Sequence, residues 1–65
     1  MSVPTEADNL LERARKSLTD CISDLLKVID PSTSGSNDFV PAFKIKLEDS
    51  ALELMRINRN INLYL

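Results

Sequence analysis

Asp20 and Asp24 stand four residues apart, and Glu48, Asp49 and Glu53 form a second acidic set. Paired carboxylates are the groups this chain could use for general acid–base work or for holding a metal. Acid–base work near neutral pH otherwise falls to histidine, and the chain contains none. A zinc site would have to be built from one thiol and carboxylates, a poor donor set. Asp20 and Asp24 lie on the wet face of the first helix as solvated charges flanked by Lys16 and Lys27, and the second set reads as a solvated face or a partner for basic groups across a dimer. Two helices cannot enclose a pocket for them, so the residues predict no catalytic site, no metal and no cofactor.

Cys21 is the single cysteine, which excludes a disulfide within the chain. It sits between Leu18 and Leu25 at a d position of an apolar repeat and reads as a small buried hydrophobe. A bridge between two copies would need an oxidising compartment. A lone thiol without a basic-then-apolar leader predicts an intracellular protein, nuclear or cytoplasmic, and not a secreted one.

Arg13, Arg15 and Lys16 form a short basic cluster, followed by Ser17 in a weak kinase-site pattern. Nucleic-acid binding wants a larger patch or interleaved aromatics. Here Phe39, Phe43 and Tyr64 lie far along the chain, and the net charge is −2. No nucleic-acid or membrane partner is expected, and no apolar run approaches the roughly 18 residues of a membrane span. Arg15 borders the apolar seam, where its stem could pack and its head reach a neighbouring acid.

What positions these residues is a pair of helices. The 65 residues form one domain at most, with 43% hydrophobic and 28% charged residues, a folding composition. The first helix is predicted over about 5–29. Thr5 and Asp8 fit a capping box, with Ser2 as a rival cap. Ala7, Leu11, Ala14, Leu18, Cys21, Leu25 and Val28 step by four and three, an a/d heptad seam. Leu10, Ile22 and Ile29 widen it. Glu12 and Lys16 suit an i,i+4 ion pair. Pro31 ends the helix at Asp30.

Residues 30–38, rich in serine around Gly35, read as a flexible linker that buries nothing and whose hydroxyls could accept phosphate. Phe39 to Phe43 could plug the hairpin mouth. The second helix is predicted over about 41–62, with Pro41 in its first turn. Val40, Phe43, Leu47, Ala51, Leu54, Ile57, Ile61 and Tyr64 form one stripe, and Ile45, Leu52 and Met55 a second. Ser50 and Asn58 are the polar residues near the seam. From Ile57 to Leu65 the alternation also suits a strand, but a continued helix with a frayed end is the reading adopted. The apolar end Leu63-Tyr64-Leu65 suits a docked end or a truncated one.

The expected architecture is an all-α antiparallel helical hairpin. Its core is predicted at Leu11, Leu18, Cys21, Ile22, Leu25, Ile29, Phe43, Leu47, Leu54, Ile57 and Ile61. Ile45, Leu52, Met55 and Tyr64 are predicted to face a partner. A dimer, or another helical subunit, would complete a four-helix bundle. The expected function is a non-enzymatic protein–protein interaction module. It would be a homodimeric scaffold or the N-terminal oligomerisation segment of a larger protein. The alternatives are an obligate small subunit of a hetero-oligomeric nuclear or cytoskeletal complex, or a groove-type peptide-binding adaptor.

Overall fold

The computed structural model describes residues 3–65, so the rival cap Ser2 lies outside the described residues. The chain forms α1 (Glu6–Ile29), a short 3-10 turn (Ser36–Asp38) and α2 (Pro41–Tyr64). It is all-helical, and the two helices pack against each other.

α1 begins where its capping residues dictate. The Asp8 backbone N–H donates to the Thr5 hydroxyl at 3.2 Å, and the Thr5 N–H donates to the Asp8 carboxylate at 3.0 Å. These two bonds satisfy donors that the first helical turn leaves free. Glu6 and Asp8 place negative charge at the positive end of the helix dipole, and Lys27 lies in the last turn. Asp30 turns to extended backbone before Pro31, as steric conflict with the proline ring demands.

α2 has weaker local support. Its N-cap, Val40, offers no side-chain acceptor, and no acidic residue lies in its first turn. Pro41 presets the first helical φ, which is its main local advantage. The helix runs through the alternating asparagines to Tyr64, and Leu65 donates back to the Ile61 carbonyl at 3.0 Å. The strand alternative for 57–65 therefore gives way to helix.

The helices run antiparallel. Asn58 of α2 meets Thr19 of α1. Nearer the loop, Leu26 and Ile29 share a groove with Ala51, Leu52 and Glu48. Towards the free ends, Glu12 shares one with Tyr64 and Leu65. The two helices are thus staggered. The first two turns of α2 project past the end of α1 and lie beside the loop. Stagger and extended ends give a long axis of 51 Å, against roughly 36 Å for a 24-residue helix.

The linker folds into a series of turns. Asp30 accepts from both the backbone N–H and the hydroxyl of Ser32, each at 2.9 Å. Successive turns close through Thr33 N–H to the Asp30 carbonyl and Ser36 N–H to the Thr33 carbonyl, both 3.0 Å. Gly35 supplies the left-handed residue (φ 84°) that starts the 3-10 turn. Ser36 is buried at 1% exposure. The Lys44 ammonium reaches the Asn37 carbonyl at 3.4 Å, and the Phe39 and Phe43 rings meet at 5.4 Å. The rings are tilted at 46°, and Phe39, Val40 and Phe43 all stay exposed, so the segment does not form the expected apolar plug.

Two stability effects follow. Thr5→Ala should lower stability by about 1 kcal/mol through loss of the cap. Gly35→Ala should cost about 1 kcal/mol or more, because an added Cβ strains the positive φ even though the space beside it is open. Thermal melting by circular dichroism reads both. An unchanged midpoint for Gly35→Ala would mean that the ordered loop does not support the hairpin.

Candidate interaction surface

The contact between the helices is narrow. Among the described residues the fully buried hydrophobic side chains are Ile22 and Ala51. Around them Leu11, Leu18, Leu25 and Ile29 of α1 are half-buried, as are Leu47, Leu54, Met55 and Ile61 of α2. Ala51 presents only a methyl group, which lets the helices approach at the level of Leu26.

Three residues expected in this core are exposed. Cys21 is exposed, and Phe43 and Ile57 are 42% and 41% exposed. The reason is rotational. The α1 seam has two columns: large Leu11, Leu18 and Leu25, and mostly small Ala7, Ala14, Cys21 and Val28. A single partner helix covers only the large column together with Ile22 and Ile29. Ala7, Ala14 and Cys21 stay exposed, and Val28 half-buried.

Of the residues expected to face a partner, Ile45, Leu52 and Tyr64 are exposed, while Met55 is half-buried against Ile22 and Asn58. Met55 belongs in part to the hairpin's own contact. Tyr64 lies at the free end with Val3, Pro4 and Thr5. Ser50 is exposed as well.

The hairpin has two sides, and they differ in chemistry. One side holds two shallow grooves. Thr19, Ile22, Met55, Asn58, Arg59, Asn62 and Leu63 line the first. The second, of about 390 Å³, lies between Leu26 and Leu52 near Pro31. At about 100° per residue, this side also presents Glu12, Lys16, Glu48 and Ile45. Its apolar groups are therefore broken up by charge.

The opposite flank of each helix makes the other side. There α1 presents Ala7, Leu10, Ala14, Cys21, Leu25 and Val28. α2 presents Phe43, Leu54, Ile57 and Ile61 alongside them. Ser17 and Ser50 are the polar residues within this face, and Lys46 stands at its margin. Of the apolar residues, Leu10, Phe43 and Ile57 are exposed, while Leu25, Val28, Leu54 and Ile61 are half-buried.

The whole chain exposes 5218 Å², about 1,000 Å² more than a compact monomer of 7.3 kDa, in keeping with its elongated 51 × 18 × 14 Å shape.

Charges elsewhere are dispersed. The Arg15 guanidinium donates to the Glu12 carboxylate, and both are half-buried along the seam. The expected Glu12–Lys16 pair is thus replaced by an i,i+3 pair, with Lys16 adding only its longer-range attraction. The Arg15 hydrogen bond holds the Glu12 carboxyl below its ordinary range. The backbone and side-chain bonds from Ser32 do the same for Asp30. Arg56 and Glu53 make a looser exposed pair at 3.7 Å. Asp20, Asp24, Glu48 and Asp49 are exposed too. Among the described residues no group of three or more cysteine and acidic side chains is placed to hold a metal ion. Among those residues no helix is long and apolar enough to cross a membrane.

Asn58 is the polar residue inside the contact. Its amide donates to the Thr19 hydroxyl at 3.4 Å, and that hydroxyl donates to the Arg15 carbonyl at 2.9 Å. The Asn58 Oδ1 is buried without a hydrogen-bond partner. A polar group so placed disfavours shifted pairings at some cost in stability.

The chain matches no protein-family model, no curated protein and no solved structure.

Two expected outcomes test this picture. Asn58→Leu removes the orphaned acceptor and should raise stability by about 1 kcal/mol, read by thermal melting; a lower midpoint would show that the Thr19 bond outweighs the burial cost. The depressed carboxyls of Glu12 and Asp30 stabilise the fold above their unfolded values, near roughly 4. That contribution is lost as the pH falls through their lower folded values. Melting midpoints should therefore drop as the pH falls from about 5 to about 3, and less steeply in Glu12→Gln. Equal slopes for Glu12→Gln and wild type would remove the Glu12–Arg15 pair from the stability balance.

Proposed function

We propose that this chain is a non-enzymatic assembly module, a helical hairpin that docks its broad apolar face on other helices to complete a bundle. The observation that carries the reading is the set of large apolar side chains that the hairpin leaves exposed, Leu10, Leu26, Phe43, Ile45, Leu52 and Ile57 among them. Contiguous exposed apolar groups of this kind mark interaction surfaces. The narrow buried contact adds support, since two helices with so little core gain most from a third and fourth. The weak local signals of α2 point the same way, because a helix without good caps depends on tertiary packing. An intracellular setting goes with the reading and rests on the single unpaired cysteine.

A second reading has its own observation. The groove of about 390 Å³ between Leu26 and Leu52 is apolar and open, and could take a short amphipathic segment as an adaptor does. Asp30 and Glu48 border it, so the assembly reading comes first.

The test uses tagged chain in a native cell extract. Wild type should elute from a sizing column in a species larger than the hairpin, and Ala14→Glu with Ile57→Glu should return it to the hairpin's own size. Elution of wild type at that small size would refute the reading. A shift produced only by Leu52→Glu would favour the groove.

A further inference from the structure

We propose that the two shallow grooves form one docking site for a short amphipathic helix of another protein, basic at the end that meets Asp30 and Glu48 and acidic at the end that meets Arg59. This rests on the groove reading given above and names the chemistry of the occupant.

The grooves are continuous. Met55 lines both, and Ile22 of the first stands one helical turn from Leu26 of the second. Joined, they run from Leu63 near the free ends to Pro31 at the loop. Glu48 and Leu63 mark the two ends on α2, fifteen residues apart, or roughly 22 Å of helix. Leu26 and Leu52 rise along this path at 47% and 63% exposed. A helix of about four turns covers that length. Apolar residues at helical spacing give it the stripe that a groove of this kind takes.

The charges are segregated along the path. Asp30 and Glu48 line the loop end, with no basic side chain beside them. That end also meets the C-terminus of α1, whose last carbonyls carry partial negative charge. Arg59 lines the other end, with no acidic side chain beside it. Among the described residues neither Glu48 nor Arg59 has an ion-pair partner within the chain. A surface that separates its charges in this way is complementary to a partner with the opposite layout. Its apolar middle supplies the affinity, and its charged ends choose among amphipathic helices.

Fluorescence anisotropy of labelled synthetic peptides with the purified chain tests the proposal. The first peptide has about fifteen residues. It carries leucines at helical spacing, two lysines in one terminal turn, a glutamate in the other, and glutamine elsewhere. The second carries glutamates in place of the lysines. The lysine peptide should bind about tenfold more tightly than its mate, and Glu48→Lys should abolish or reverse that preference. Leu52→Gln should weaken both peptides by about tenfold or more. Ala14→Glu, on the opposite flank, should change neither. Equal binding of the two peptides, both weakened by Leu52→Gln, would overturn the charge layout and leave the groove reading standing. No binding of the lysine peptide, or binding indifferent to Leu52→Gln, would remove the groove reading as well. So would failure to bind together with a dimer that Leu52→Gln dissociates, since a second copy would then fill the groove.

Discussion

Two helices laid side by side can each cover one stripe of the other, and every other feature of this hairpin follows from how little that covers. α1 carries a seam two columns wide, and α2 carries apolar groups on both flanks. The hairpin buries Ile22 and Ala51 fully and the neighbouring leucines by half. Folding must offset roughly 1–2 kcal/mol of backbone entropy per residue. A contact this thin leaves the balance near zero for so small a chain. Covering the rest of the seam is the available remedy, because one cysteine cannot form a disulfide within the chain and no group among the described residues is placed to hold a metal ion.

The same constraint explains the division of labour between the two sides. Charge is spent where it interrupts apolar groups: Glu12, Lys16, Glu48 and Arg59 break up the side that contains Leu26 and Leu52. The other side lacks such interruptions. Asn58 and Thr19 hold the register of the two helices, so that Cys21, Leu54 and their neighbours share one plane. The loop meets the start of α2 through the Phe39–Phe43 ring contact and the Lys44–Asn37 hydrogen bond.

Much of the fold was legible in the residues. The capping box at Thr5 and Asp8, the stop at Pro31 and the start at Pro41 are local chemistry, and each lies where local rules put it. The helix periods also identified which residues are apolar-facing. Rotation about each helix axis was not legible, because a wide stripe admits several ways of meeting one partner. Cys21, Phe43 and Ile57 were therefore expected in the core and lie outside it, and Met55 was expected outside and lies partly within. One signal was present: the α1 columns differ in size, and a small column beside a large one suits a second, closer neighbour. Serine composition does not spell out the loop's turns, which Asp30, Ser32 and Gly35 form through specific local bonds and one positive φ.

The central claim is that this hairpin holds only part of its own core. The most direct measurement is the thermal midpoint of the purified chain as a function of its concentration, followed by circular dichroism. A midpoint that climbs steadily with concentration is predicted, since association then supplies folding free energy by mass action. A sharp transition at the same temperature across a hundredfold dilution would contradict the account, because the two helices would then be sufficient alone.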